Sequence, residues 1–173
     1  PRRGDVDAVM FEAGARSSAP AGADRPAAVP MLARSLFALH TRQAGGRPFE
    51  ELLAPAEQLA RFGAPVSRAL HADIVAVQGP LFADPLARQI WSRNGAPVPV
   101  GERVANPALG ATLTALRTQG VGDLHQGQLA RRLEEAMPLA GGGPIGASDL
   151  RPALPRLLQA TTVAGRGGDR ISF

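Results

Sequence analysis

The sequence predicts a mainly α-helical fold: a bundle of five or six short helices, with short strands near both ends of the chain. Three observations support this prediction. Apolar residues recur at helical spacing through the middle of the chain, prolines stand where helices would begin, and glycines stand where they would end. The 173 residues, 45% hydrophobic and 20% charged, suffice for a globular core and are untypical of a disordered chain.

The N-terminal part of the chain predicts a strand, a loop and a first helix. Residues 5–11 end in an apolar, β-like run, and residues 12–26 are mostly Ala, Gly, Ser and Pro. Pro30 stands in the first turn of the helix, which a glycine pair ends. The buried face of this helix is expected to carry three leucines at i, i+4 and i+7: Leu32, Leu36 and Leu39.

The second and third helices are bounded by prolines, glycines and a serine. Pro48 opens the second helix, and Pro55 is expected to break it and restart it. Leu59 is expected on its buried face. Ser67 is a candidate N-cap of the third helix, which the Gly-Pro pair at 79–80 should end. The expected buried face of the third helix consists of Leu70, Ile74 and Val77.

Two Asx-Pro pairs open the next helices. The pair at 84–85 starts a helix that the Asn-Gly pair at 94–95 should end, and the pair at 106–107 starts one that Gly120 should end. Residues 96–104, which include two prolines, are expected to be extended. The expected buried faces are Leu86, Ile90 and Trp91 in the first of these helices, and Leu109, Leu113 and Leu116 in the second.

The C-terminal part of the chain predicts one more long helix and then strands. Asp123 is a candidate cap of a helix that buries Leu129 and Leu133. Residues 159–163 and 169–173 predict two short strands around a glycine-rich turn. Strand signals therefore occur only near the two ends of the chain.

Charge and composition exclude several classes of function. The net charge is +4 and the pI about 11.3, but the chain lacks Lys and Tyr, so a small excess of arginine is enough to produce this pI. The arginines are dispersed and aromatic residues make up 4%, which disfavours a nucleic-acid partner. The absence of Cys excludes disulfides and thiolate catalysis, and no apolar run is long enough for a membrane helix.

The residues themselves predict little catalytic chemistry. The chain has three histidines, none at metal-ligand spacing: His40, His71 and His125. Each is expected at the surface or hydrogen-bonded in the core, and neither a metal nor a cofactor is implied. The Thr pair at 161–162 would need a free amino group to act as a nucleophile, so it predicts the start of a strand. Arg16 stands in a loop of small residues, where its planar guanidinium suits a carboxylate, although a solvated arginine is the alternative.

Residues 29–40, 46–56 and 59–67 are similar to the pattern "VPG…ALH" followed by "G.L.W..LL.PA..LA..GF.VS". In these segments the chain resembles the γ-glutamyltransferase family. Residues 106–130 are similar to its "NP.LA.TL..IA..G…FY.G.LA". Order and spacing agree over most of residues 29–150, which is a much more specific signal than any single segment.

The loop around Arg16 extends the resemblance upstream. Residues 16–20, RSSAP, resemble the family's "RETAP", whose arginine binds the α-carboxylate of the γ-glutamyl substrate. The sequence departs from the family pattern at several positions: Ser17 replaces Glu, Met31 replaces Gly, and Leu124 and His125 stand where an aromatic pair is usual. These departures leave open a catalytically inactive helical interaction module descended from the family, and a basic helical protein that binds nucleic acid remains a third hypothesis.

The resemblance implies an autoprocessing N-terminal-nucleophile hydrolase with an αββα sandwich and helical additions. In that family a precursor is cleaved into a large and a small subunit, and the new N-terminal Thr of the small subunit attacks the γ-glutamyl amide. This chain resembles the central part of the large subunit, so no catalytic residue is expected in it. The implied partners are the remainder of the large subunit, the small catalytic subunit and a γ-glutamyl substrate, in the periplasm or outside the cell.

The resemblance also implies a domain organisation. Residues 1–28 would lead in as strand and loop, residues 29–151 would form the helical domain of the large subunit, and residues 152–173 would lead back to a sheet outside this chain.

Overall fold

The computed structural model describes residues 7–10, 27–42, 46–139, 141–164 and 170–172; of the first and last of these ranges only the backbone is described. The mainly helical fold class is confirmed, with nine helices in the described part of the chain. This exceeds the five or six predicted because three of the nine are very short, at six, four and four residues. None of the described helices is long and apolar enough to cross a membrane.

The helices are α1 (Leu32–Arg42), α2 (Phe49–Phe62), α3 (Arg68–Ala76), α4 (Gln78–Ala83), α5 (Pro85–Trp91), α6 (Pro107–Gln119), α7 (Asp123–Gln126), α8 (Gln128–Leu139) and α9 (Ala147–Leu150). The strands are β1 (Asp7–Met10), β2 (Ala64–Pro65), β3 (Ser92–Arg93), β4 (Ala96–Pro97), β5 (Arg103–Val104), β6 (Arg156–Gln159), β7 (Thr162–Ala164) and β8 (Arg170–Ser172). They pair as four two-stranded sheets: β1 with β6, β2 with β5, β3 with β4, and β7 with β8.

The chain divides into two compact units. The first unit comprises Pro1–Gly46 and Gln119–Phe173, and the second unit comprises Arg47–Thr118. The division into 1–28, 29–151 and 152–173 stays a prediction about the longer protein.

In the second unit, α3, α5 and α6 begin where the sequence predicts. Ser67, Asp84 and Asn106 each accept a hydrogen bond from the backbone N–H three residues later, at 3.1, 2.8 and 3.0 Å. Each side chain thereby satisfies an amide that has no partner within its helix. A small core of valines lies beside these helices, with Ile90 and Trp91 packed against it: Val66, Val98 and Val104.

Two prolines expected to end helices do not do so. α2 continues through Pro55, although a proline inside a helix removes one backbone hydrogen bond. The pair at 79–80 lies inside α4, where Pro80 is the third residue. An N–H at that position has no partner within a helix, so proline costs no hydrogen bond there.

The Asn-Gly pair at 94–95 forms a hairpin rather than a helix end. α5 ends at Trp91, and β3 pairs antiparallel with β4, with Ser92 opposite Pro97. Asn94 and Gly95 have φ values of 51° and 82°, as a two-residue turn of type I′ requires. With β2 and β5, this hairpin shows that the prediction of strands only near the chain ends is wrong.

The first unit joins the two ends of the chain. β1 pairs antiparallel with β6, with Asp7 opposite Gln159, and β7 pairs with β8. The strand predicted over 159–163 is divided, because Gln159 ends β6 and Thr162 begins β7. The buried core of this unit contains Val29, Met31, Ala130, Ile145 and Leu150. The strand predicted within residues 5–11 is thus confirmed, whereas the loop predicted over residues 12–26 lies outside the described residues.

A tight corner joins α7 to α8, where one long helix was predicted. Asp123 does cap α8: its two carboxylate oxygens accept hydrogen bonds from the N–H groups of Gln128 and Leu129, each at 2.9 Å. Gly127 lies against this carboxylate so closely that a Cβ atom added to the glycine would overlap it. The corner therefore requires both the aspartate and a residue without a side chain.

The predicted buried faces are only partly correct. Ile74, Leu116 and Leu129 are buried as expected, whereas Leu59 is about half exposed. In α1 the prediction is reversed: Leu32, Leu36 and Leu39 are exposed, and Ser35 is buried with its hydroxyl donating to the Met31 carbonyl at 2.8 Å. Periodicity identifies residues that share a face of a helix, but it does not tell whether this chain covers that face.

Candidate functional site

The predicted carboxylate ligand, Arg16, lies outside the described residues. Both ends of the segment that carries it are described, however, and both belong to the first unit. The N-terminal end is β1, whose last residue, Met10, stands opposite Arg156 of β6. Because a strand pair fixes its backbone by ladder hydrogen bonds, the chain enters the Arg16 segment from a defined position.

The C-terminal end of the segment is held by packing. Val29 and Met31 belong to the buried core with Leu150, which is fully buried. The backbone N–H of Ala27 donates to the carbonyl of Gly142 at 3.4 Å. Met31, which departs from the family pattern, is thus accommodated as a core residue rather than exposed.

A buried histidine fixes the backbone between Val29 and Met31. The side chain of His125 is 0% exposed, and its Nε2–H donates to the carbonyl of Pro30 at 2.8 Å. Nδ1 lies within hydrogen-bond distance and angle of no other group among the described residues. Burial, and secondarily the positive charge of Arg34, lowers the pKa of His125 below its ordinary value.

Arg34 of α1 fixes the other side of this region. Its guanidinium donates to the carbonyls of Leu150, Arg151 and Ala153, at 3.5, 3.3 and 2.6 Å. These carbonyls lie at the C-terminal end of α9 and just beyond it, where a helix leaves acceptors without partners and a cation is favoured. Sequence reasoning missed this contact, because its partners lie 116 to 119 residues apart and no local pattern connects them.

Two other residues that the sequence offered as candidates, His71 and Thr162, have structural roles. His71 donates from Nδ1 to the carbonyl of Val98 at 2.8 Å, so the prediction of a hydrogen-bonded histidine is confirmed there. Thr162 begins β7, as predicted. Across the described ranges, no three or more His, Asp or Glu side chains come together as they would around a metal ion.

The second unit contains a groove and an ionic cluster. The groove, of about 570 Å³, lies between α5 and the start of α6, and Leu86, Ile90 and Leu109 contribute to its lining. Arg93 also lines it, but its guanidinium is held by the carboxylate of Glu102, at 2.6 Å between Nε and Oε1. The groove therefore presents apolar surface and an already paired cation.

The ionic cluster connects α2 to α6. Glu57 accepts from Thr114 at 2.8 Å and pairs with Arg117 and Arg61 at N–O distances of 2.8 and 3.1 Å. These hydrogen bonds, that from Arg117 first, lower the pKa of Glu57. The charged groups of Glu57, Arg61 and Arg117 pair with one another, so none of the three is free for substrate chemistry.

Comparison with known proteins places this arrangement in a family. A family model described as gamma-glutamyltranspeptidase matches residues 4–171. Glutathione hydrolase 3 of Arabidopsis thaliana is 34% identical over 119 residues, which are 69% of this chain and 18% of that protein.

Solved structures share the fold. The γ-glutamyltranspeptidase of Helicobacter pylori is 19% identical with a TM-score of 0.80, and the match covers 98% of this chain and 56% of that one. The Bacillus anthracis transpeptidase CapD is also 19% identical, with a TM-score of 0.78 and coverage of 98% and 59%. This chain thus spans just over half of the Helicobacter chain and less than a fifth of the Arabidopsis protein. The match over nearly all of its residues shows that the chain belongs to the γ-glutamyltranspeptidase family.

Proposed function

We propose that this chain is part of an enzyme that transfers or hydrolyses γ-glutamyl groups of glutathione-like amides, and that its Arg16 binds the α-carboxylate of the substrate. The observation that carries the proposal is the family match over residues 4–171, which includes the RSSAP segment at 16–20. The planar guanidinium of arginine binds a carboxylate through two parallel hydrogen bonds.

The anchored ends of the Arg16 segment support this role. Fixing the two ends of a segment reduces the conformational freedom that the segment loses when a substrate binds to it. Pairing of β1 with β6 holds one end of the segment, and His125 together with the Val29–Met31 core holds the other.

The catalytic step belongs to residues outside this chain. An N-terminal threonine of a small subunit would be the nucleophile, with its own amino group as the base. The acyl group would then pass to water or to an amino acid or peptide. The partners of this chain are accordingly the remainder of the large subunit, the small subunit and a γ-glutamyl substrate; no cofactor is required, and a periplasmic or extracellular location fits the family.

The test uses the protein from the complete reading frame. We expect intact mass spectrometry after incubation to show two polypeptides, the second beginning with Thr, and the processed protein to release a chromophore from a γ-glutamyl anilide. Arg16→Ala should lower kcat/KM about 100-fold or more, because a charge-assisted bidentate contact is lost, and KM should rise more than kcat falls.

Arg132→Ala is the matched control, since Arg132 is an exposed arginine on α8. An Arg16→Ala enzyme with the kcat/KM of the control would refute the carboxylate role. A single folded, uncleaved and inactive polypeptide would instead favour the interaction-module alternative, which the departures at Ser17, Met31 and Leu124 motivate.

A further inference from the structure

The tip of the hairpin between β3 and β4 places an asparagine side chain next to the backbone N–H of a glycine. Asn94 and Gly95 are both exposed. Among the described residues, neither the side chain of Asn94 nor the N–H of Gly95 makes a hydrogen bond. A Cβ atom added to Gly95 would meet no atom within 4 Å, so the space beside this residue is open. Water and base therefore reach both groups in the folded protein.

The other asparagine of the sequence has opposite surroundings. Asn106 is followed by Pro107, whose nitrogen carries no hydrogen. The side-chain oxygen of Asn106 accepts a hydrogen bond from the N–H of Leu109 at 3.0 Å, as the cap of α6. The second unit thus contains one asparagine with a free side chain and a glycine after it, and one that is engaged and precedes a proline.

We propose that Asn94 is a site of spontaneous deamidation through a cyclic imide. Asparagine is among the thermolabile residues, and a following glycine hinders the reaction least because it lacks a Cβ atom. The nitrogen of Gly95 loses its proton to base and attacks Cγ of Asn94. The N–Cγ bond forms, the Cγ–Nδ2 bond breaks, and the amide group takes up a proton and leaves as ammonia. Water then opens the five-membered ring, at Cγ to give aspartate or at the backbone carbonyl carbon to give isoaspartate.

The isoaspartate product alters the second unit at a sensitive place. Its backbone runs through the former side chain, which adds one methylene group to a two-residue turn. The strands on either side of this turn pair Ser92 with Pro97. Val98 follows directly, is 0% exposed, and donates its N–H to the carbonyl of Trp91 at 3.1 Å. The modification therefore changes the strand register beside the buried valine core and adds one negative charge.

The test follows both asparagines in the same sample. The protein from the complete reading frame is incubated, folded, in mildly alkaline buffer for several weeks, and its peptides are analysed by mass spectrometry after digestion in mild acid. Deamidation adds about 1 Da, and fragmentation distinguishes isoaspartate from aspartate. We expect Asn94 to deamidate at least about 10-fold faster than Asn106, because proline has no N–H to lose, and the rate at Asn94 to increase with pH.

Asn94→Gly is the matched control variant, because Gly-Gly also suits a type I′ turn and has no side-chain amide. We expect the Tm of the parent protein to fall during incubation in proportion to the isoaspartate formed, while that of Asn94→Gly stays constant. Equal rates at Asn94 and Asn106 in the folded protein would overturn the proposal. Deamidation of Asn94 only after unfolding would overturn it as well, because the hairpin would then protect this residue. Neither measurement involves γ-glutamyl activity, so the outcome is independent of the proposed function.

Discussion

The two units of the molecule are assembled from the chain in different ways. The second unit is one continuous stretch, Arg47–Thr118, in which α3, α5 and α6 are started by caps three residues from the amides they bind. The first unit is assembled from both ends of the chain, and its hydrogen bond between His125 and Pro30 spans 95 residues. Both units combine local caps with distant contacts, but the distant hydrogen bonds described in the second unit span up to 60 residues, whereas those of the first unit span up to 119 residues.

The units also differ in where they place polar groups. In the second unit, the charges of Glu57, Arg61 and Arg117 stay partly exposed and pair with one another. In the first unit, His125 and Ser35 are buried. Buried polar groups depend strongly on their few partners, so the first unit should be the more sensitive to single substitutions.

The largest expected loss of stability concerns the core of the first unit. Leu150 is fully buried, and Leu150→Ala should lower the free energy of unfolding by about 2–5 kcal/mol through lost apolar contact and a residual cavity. Val98→Ala, in the core of the second unit, should cost less because fewer carbon atoms are removed. Chemical denaturation of the complete protein measures both, and a greater loss for Val98→Ala would contradict the comparison.

The second expected effect is a pH dependence that arises in the first unit. The pKa of His125 is below 6.5 in the folded protein, so as the pH falls below 6.5 the unfolded chain takes up a proton that the folded protein does not. Stability should therefore decrease with acidification, by at most about 1.4 kcal/mol per pH unit from this group. His125→Gln, which does not titrate, should flatten a plot of Tm against pH from 7 to about 5; an unchanged slope would contradict this assignment.

The helix caps of the second unit should give intermediate losses. Ser67→Ala and Asp84→Ala each remove an acceptor of a helix N-terminal amide, and each should cost about 1 kcal/mol. The corresponding glycine variants should cost only a few tenths of a kcal/mol. Thermal denaturation of the four variants tests this, and alanine variants as stable as the parent would show that the caps contribute nothing.

The smallest expected effect concerns the ionic cluster of α2 and α6. The pKa of Glu57 is lowered by its hydrogen bonds, so its contribution is present above the ordinary value near 4.5 and is lost as the pH falls through the folded pKa. Glu57→Gln should lower the Tm slightly at neutral pH, less than either cap variant, because these charges are partly exposed. The difference between Glu57→Gln and the parent should vanish in acid; a constant difference would contradict the ionic explanation.

The helix starts at Ser67, Asp84 and Asn106 could be predicted from sequence because a cap and the amide it binds lie within one turn. The turn at 94–95 could have been predicted, since Asn-Gly favours the type I′ turn of a hairpin. The helical pattern before it instead suggests the end of a helix.

Contacts between distant residues could not be predicted in this way. Nothing near Arg34 in the sequence indicates the carbonyls it binds beyond α9, and nothing near His125 indicates Pro30. The candidate site depended on family resemblance alone, because a single arginine in a loop of small residues has no distinctive local pattern. For the same reason, the sequence does not predict that Leu36 is exposed, because the burial of a helix face depends on residues elsewhere in the chain.

The corner between α7 and α8 has a genetic consequence. Every amino acid other than glycine carries a Cβ atom, so every missense mutation at Gly127 places an atom in the space held by the Asp123 carboxylate. Around Gly79 in α4, by contrast, a Cβ would meet no atom within 4 Å. In saturation mutagenesis, nearly all substitutions of Gly127 should therefore destabilise the protein, whatever the chemistry of the new side chain. Substitutions of Gly79 should differ in stability only by the helix propensity of the new residue.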